Sequence, residues 1–394
     1  MTKRGGKLGF NAAWSMAVGG MIGGGIFATL GVVIAVAGKL AWLSFVIGGL
    51  IALATGYSYA RLTQDFDCAG GAFAFLRRVG AERAARVTVW ALMLGYTLTV
   101  SVYAFTFGAY LAHAVGGPSW LPQVAALSAI FVLAGVNLKG VGESATVEIV
   151  AVWGKLAILF GLAFIGLLRW APERMAAADS SGSGISGAIV GAATVFMAYE
   201  GFQLLAYDYD DMEDGKALIG KAMLWAIVAT ISVYVLVTLG TAMLVGADAI
   251  IAKKEVALAD AGRAAAGTAG LIAVTIAAVF STASAINATI FSTARLGKEA
   301  EAEGELPAIF GKTDSEGVPW AGVLIVAVVA AVLAVFGGLS QLVQGASFVF
   351  LAVFAVVNVV AVRHGVAHPA IAYTGALGAV AAILLLALHL AGII

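Results

Sequence analysis

The sequence predicts an all-α, polytopic membrane protein, and three observations lead there. Of 394 residues, 62% are hydrophobic and 11% charged, where a soluble domain has about 45–50% apolar and about 25% charged residues. The apolar residues gather into eleven runs close to the ~20 residues a helix needs to cross the hydrocarbon core. Fifty glycines exceed the usual level of about 7%, and the densest group lies inside the first run. A soluble fold could not hide so much apolar surface. The single cysteine, Cys68, excludes an intrachain disulfide framework and a cysteine-built zinc site. Basic and acidic residues balance at 22 each, which gives no electrostatic case for nucleic acid.

In chain order the runs are 11–37, 41–63, 87–114, 120–138, 145–168, 185–207, 218–246, 267–293, 320–338, 341–361 and 369–392. The first follows a short basic start, Met1 to Lys7. It is too long and too interrupted by glycine for a cleaved signal peptide, so it is expected to stay in the mature protein. Lys and Arg in the loops set the orientation. With the N-terminus inside, fifteen fall on the inner side and six on the outer. The N-terminus is therefore expected in the cytoplasm, and eleven crossings put the C-terminus outside.

Three polar segments have character. Residues 66–86 carry Gly70-Gly71-Ala72-Phe73 and then Arg77, Arg78, Glu82 and Arg83; they form either a short amphipathic helix on the inner surface or a plain basic loop. Residues 298–319 are the longest polar stretch, with Pro307 and Pro319 as breakers. Asp208 to Asp214 holds five acids in seven residues. It is either a solvated loop whose acids favour the next helix N-terminus, or an inner gate that pairs with basic residues near the N-terminus.

Two runs are interrupted. The first contains Gly19-Gly20-Met21-Ile22-Gly23-Gly24-Gly25-Ile26-Phe27. Five glycines give up about 5 kcal/mol of helix propensity at roughly 1 kcal/mol each. Small residues four apart serve close helix packing, but a triple glycine points further, to an unwound hinge facing protein or a watery cavity. The sixth run contains Phe196-Met197-Ala198-Tyr199-Glu200-Gly201-Phe202. Glu200 lies about 10 Å inside the inner end at 1.5 Å per residue, too deep for a short acid to reach water. A carboxylate at such depth is expensive and usually functional.

Spans 1–5 and 6–10 would form two halves, each beginning with a broken helix. Paired interruptions of this kind mark the binding site of a transporter. Freed N–H groups at a half-helix N-terminus attract an anion, and freed carbonyls at a half-helix C-terminus attract a cation. One site with both is a receptor for a zwitterion, of which an α-amino acid is the commonest.

Lys155, in Trp153-Gly154-Lys155-Leu156-Ala157, is the one lysine or arginine that falls on neither side, deep inside a span. Counted from Ala145 it lies about 15 Å from the inner end; counted from Glu148, about 9 Å, where its stem could nearly reach the interface. Facing the interior instead, its charged form is disfavoured by desolvation and it can exchange a proton during a cycle. A carbonyl of the first span is the natural partner. In the eighth run, Ser281, Ser284 and Ala288 share one small-residue face. That face serves either helix packing or a hydroxyl wall of the cation or proton site.

These residues resemble the amino acid–polyamine–organocation (APC) transporters, over nearly the whole chain. Gly23-Gly24-Gly25-Ile26-Phe27 is similar to the glycine-rich break of that family's first helix. Ala69-Gly70-Gly71-Ala72-Phe73 resembles the segment after its second helix, and Asn137-Leu138-Lys139-Gly140-Val141 the turn before its fifth. Ala198-Tyr199-Glu200-Gly201-Phe202 is similar to the break of its sixth, and Ser281 to Leu296, followed by Leu306-Pro307, to its eighth helix and the loop beyond. Single motifs are weak; five in the right order are strong.

The resemblance implies a LeuT-type 5+5 inverted repeat in one transmembrane domain over 1–394. Repeat one would cover about 11–168, repeat two about 185–361, and 369–392 would be an extra helix. It implies a substrate site at Met21, Ile22, Gly23, Gly24, Gly25 and Ile26 on the first helix, with main-chain amides around Gly23 to Ile26 meeting the substrate carboxylate. The α-ammonium would meet carbonyls around Phe196, Met197, Ala198 and Tyr199, with Glu200 beside them and Met197 and Phe202 shaping the side-chain pocket. Lys155 matches the lysine that replaces a sodium ion in proton-coupled members. Lys155, Glu200, Ser281 and Ser284 are thus the candidate proton-coupling residues. Glu200 either binds a second positive group, as in members that accept cationic amino acids, or relays protons.

The function expected is proton-coupled amino acid permeation by alternating access; the alternative is an exchanger or facilitator of cationic amino acids or polyamines. Its partners are an amino acid, protons and the lipid bilayer, with no nucleic acid, cofactor or metal. The sequence does not choose between monomer and homodimer. An enzyme is not expected: His113, His364, His368 and His389 lie near span ends or in a loop, and none stands at catalytic spacing from a serine or carboxylate. A channel is not expected either, since no carbonyl-filter sequence is present.

Overall fold

The computed structural model describes residues 7–139, 145–176 and 184–393. The chain is a helical membrane protein, and among the described residues its one extended pairing is a bridge between Leu8 and Met212. The helices are α1 (Phe10–Ala37), α2 (Ala41–Phe66), α3 (Gly71–Arg78), α4 (Glu82–Val115), α5 (Leu121–Leu138), α6 (Ala145–Leu168), α7 (Gly184–Thr194), α8 (Gly215–Val245), α9 (Ala247–Ala252), α10 (Ala257–Ala302), α11 (Trp320–Phe336), α12 (Leu339–Arg363) and α13 (Pro369–Leu390). Among the described residues, eight apolar stretches are long enough to cross a membrane, or nine with the bent segment after α7. The first stretch holds both α1 and α2, and α11, at 17 residues, is just shorter. All eleven expected runs are therefore helical.

Local chemistry sets the ends. Gly38, at φ 53°, stops α1 and turns the chain into α2. Pro122 fits the first turn of α5, where its missing N–H removes no helical bond. The Asp214 side chain accepts from Ala217 N at 3.3 Å and caps α8. Residues 71–78 form the short amphipathic helix: Ala72, Phe73, Phe75 and Leu76 are buried, and Arg77 and Arg78 close its last turn. Ala266 and Gly267 interrupt α10, so its long section starts where the eighth span was expected. It runs on through Lys298 to Ala302, beyond the expected end, because Lys, Glu and Ala are strong helix formers.

Every residue of α1 from Met21 to Ile34 is buried, as fits a helix that is apolar all round. It packs against α6, α7, α8 and α10. α5, α11 and α13 lie outside and present Phe131, Val132, Phe336 and Leu377 outward, an apolar surface suited to lipid.

The first span is not broken. α1 is continuous through its glycine run, and the expected unwound hinge is absent. Packing gives the reason. A Cβ on Gly20 would lie 2.9 Å from Gly201 Cα, and one on Gly23 2.9 Å from Ala285 Cβ of α10. A Cβ on Gly24 would enter the Tyr103 ring of α4, and one on Gly25 would meet the Tyr234 hydroxyl of α8. Each glycine admits a different neighbour, and this close packing offsets the lost helix propensity.

Candidate functional site

The second interruption is real. After α7 come two 3-10 turns, Phe196–Tyr199 and Phe202–Ala206, and the axis bends by 58°. Glu200 between them is extended, and Gly201 has φ 135°, in the region that favours glycine. A Cβ there would also lie 2.5 Å from Met21 N. At Gly20 and Gly201, α1 and the break cross backbone to backbone.

Side chains from other helices satisfy the backbone groups the break leaves open. Ser347 of α12 accepts from Met197 N at 2.9 Å and donates to Thr194 O at 2.8 Å. The Tyr234 hydroxyl is 2.7 Å from both Met21 O and Ala198 O, so its one proton serves both chains of the crossing. Tyr199 Oη donates to Phe45 O of α2 at 2.5 Å. Phe196 and Phe202 pack their rings on Phe354, at 5.8 and 5.3 Å between centroids.

Glu200 is 2% exposed. Gln203 Nε2 donates to its Oε1 at 3.1 Å, and Tyr103 Oη to its Oε2 at 3.4 Å. Gln203 is itself oriented by Gly201 N, which donates to Oε1 at 2.9 Å. The acid thus sits between two neutral donors, one on its own segment and one on α4.

Lys155 is 6% exposed and faces the interior of the bundle. Its Nζ donates to Gly19 O at 3.3 Å and to Ser281 Oγ at 3.2 Å, and Ser281 Oγ donates to Ile22 O at 3.3 Å. Ser284, one turn on, donates instead to Glu148 Oε2 at 3.0 Å.

Two adjoining cavities lie below the crossing, toward the N-terminal end of α1. One of about 70 Å³ is lined by Gly19, Gly20, Glu148, Gly201, Asp208 and Ser284, among others. The other, of about 230 Å³, includes Asn137, Asp208, Asn287, Arg295 and Glu299. Burial pushes the Asp208 carboxyl up to about 6, with Arg295 pulling it down and Asp211 adding to the rise. The acidic segment is pinned through its backbone: Leu8 N donates to Asp211 O at 2.8 Å, and Glu213 N to Leu8 O at 3.1 Å. Of the N-terminal basic residues that the inner-gate alternative would pair with it, Lys3 and Arg4 lie outside the described residues, and Lys7 is exposed.

The structure brings Met21 and Ile22 together with Ala198, Lys155 and Ser281. It does not free the amides of Gly23 to Ile26, which lie within a continuous helix. Sequence reasoning missed Tyr103, Tyr234 and Gln203, whose residue types are ordinary in a span. It took Glu148 only as an interface marker; its spacing of seven from Lys155 was the available signal.

A family model described as amino acid permease matches residues 8–394. The chain belongs to the amino acid–polyamine–organocation transporter family. It is 30% identical over 356 residues to the inner membrane transport protein YbaT of Escherichia coli (strain K12), covering 89% of this chain and 81% of that protein. It is 24% identical to the serine/threonine exchanger SteT of Bacillus subtilis (strain 168), over 74% and 67% of the two chains. To the mitochondrial cationic amino acid transporter 3 of Arabidopsis thaliana it is 26% identical, over 88% and 60%.

Proposed function

We propose that this transporter is a secondary active amino acid permease, coupled to protons, that binds substrate where α1 crosses the break after α7. Alternating access would move two five-helix repeats, about 11–168 and 185–361, around that crossing, with the N-terminus in the cytoplasm. The named substrates of the relatives support an amino acid.

Substrate binding requires α1 to open locally. The helical partners of the amides of Gly23, Gly25 and Ile26 are the carbonyls of Gly19, Met21 and Ile22, four residues back. Those three carbonyls already have Lys155, Tyr234 and Ser281 beside them. The carbonyls therefore keep donors when the turn opens, and the amides become free for a substrate carboxylate. Ala198 O, held by the same Tyr234 hydroxyl, would meet the ammonium group.

The observation that carries the coupling is Lys155 itself, a buried lysine on a carbonyl of α1. The test is uptake of labelled amino acids into proteoliposomes under a pH gradient or a sodium gradient. Uptake driven by the pH gradient and abolished in Lys155→Ala is expected; sodium-driven uptake indifferent to pH would overturn the coupling.

Glu200 supports a second assignment, exchange or facilitated passage of cationic amino acids or polyamines, since a buried carboxylate near the crossing suits a second positive group. Competition by arginine, lysine and putrescine separates the two. Inhibition by alanine or leucine with none by any cation would reject it.

A further inference from the structure

The polar face that holds Lys155 continues to a second ionisable group. Glu148 lies seven residues earlier on α6, two turns away, so both side chains leave the same face. Lys155 reaches Ser281 at 3.2 Å and Glu148 is reached by Ser284 at 3.0 Å, one turn apart on α10. Both groups also use Gly19. The ammonium donates to its carbonyl oxygen, and Glu148 Oε1 stands where a Cβ of residue 19 would be. Glu148 lines the smaller cavity with Asp208, and Asp208 lines the larger one with Arg295 and Glu299.

From this geometry we propose that Glu148 is the proton-transfer partner of Lys155. This rests on the proton coupling proposed above and gives the proton a route. An N–H bond of the Lys155 ammonium breaks, and its proton passes to a hydroxyl or water on the Ser281–Ser284 face. That group gives a proton to a Glu148 oxygen, leaving a neutral lysine and a neutral acid. Glu148 then releases its proton into the small cavity beside Asp208 and on to the solution at the N-terminal end of α1. Among the described residues, the ionisable groups that line cavities with Glu148 are Lys155 on its own helix and Asp208 beyond the break; α10 faces it with Ser284, and α1 with Gly19. Arg295 is one cavity further out. Gly19 is thus the joint at which a movement of α1 alters both ends of the transfer.

The test uses the full chain in proteoliposomes, with an equimolar radiolabelled mixture of the standard L-amino acids. Net uptake under an imposed pH gradient is compared with counterflow, in which the mixture is present on both sides without a gradient. For Glu148→Gln, net uptake is expected to fall roughly tenfold or more and to lose its pH profile, while counterflow falls much less. Glu148→Asp is expected to recover the pH profile. A wild type that responds to pH, with Glu148→Gln responding equally, overturns the role of Glu148 and leaves the coupling standing. A wild type indifferent to pH overturns both. Equal loss of net uptake and counterflow, without rescue by Asp, marks a purely structural residue and also overturns the proposal. Should Glu148→Gln fail to purify folded, Ser284→Ala is judged by the same split: a wild-type pH profile overturns the route.

Discussion

The two glycine-marked segments of this transporter look alike in sequence and behave oppositely in structure. α1 carries five glycines in seven residues and stays helical; the segment after α7 carries Gly201 alone and bends by 58°. Gly201 is needed for its φ of 135°, whereas the glycines of α1 are needed for what lies against them. Glycine count therefore measures how closely neighbours approach, and positive φ measures where the chain breaks. The two meet at Gly20 and Gly201, so one contact can be tested from both sides.

The largest effect is expected from Gly201→Ala. A side chain at that φ costs about 1–3 kcal/mol in strain, and its Cβ would also press on Met21 N at 2.5 Å, which overpacking makes worse by about as much again. Melting of the purified protein should show a drop of several degrees, or no folded protein at all. Gly20→Ala touches the same contact from a residue with ordinary helical φ. Overpacking costs it about 1–3 kcal/mol, but the gain in helix propensity returns about 1 kcal/mol. Its melting temperature should fall clearly less. Equal losses at the two positions would mean that the contact alone matters and that the backbone conformation of Gly201 does not.

Tyr234→Phe sharpens the comparison on function. Met21 O keeps its helical partner, while Ala198 O loses the donor at 2.7 Å. An unsatisfied buried carbonyl costs about 1–3 kcal/mol. If α1 opens to bind substrate, Met21 O then also lacks its substitute donor. Substrate affinity, read by a thermal-shift titration with amino acids, should fall more than stability of the free protein. Weakened stability with unchanged affinity would place the opening elsewhere.

The eleven runs were legible in the sequence because crossing hydrocarbon needs a long apolar segment whatever its partners. Lys155 and Glu200 were legible because a charge inside such a segment is rare. The continuity of α1 was not legible: helix propensity is local, whereas the rings and backbones that fill the space at Gly20, Gly24 and Gly25 come from distant helices. Glu148 escaped for a related reason. A carboxylate near a span end is ordinary, and only its contact with Ser284 and its position over Gly19 set it apart. Tyr103 and Tyr234 carry no signal before their partners are known.

The smallest effect concerns the exit of the break. Asp208 lies two residues beyond it, and its carboxyl is raised from 3.8 to about 6, chiefly by burial. The folded state thus holds this proton more tightly than the unfolded chain does. As pH rises from 3.8 through about 6, the unfolded state gives up its proton first and the folded state loses stability relative to it. Asp208→Asn cannot titrate. The variant should therefore gain on the wild type as pH rises through that same window and keep the gain above it, on the order of 1 kcal/mol for a half-buried group. In melting temperature this is about one or two degrees, read as the difference between the two proteins at each pH. A difference constant with pH would mean that Arg295 holds the carboxylate ionised throughout. The cavity below the crossing would then be lined by a fixed ion pair, unlike the titratable exit that the burial of Asp208 implies.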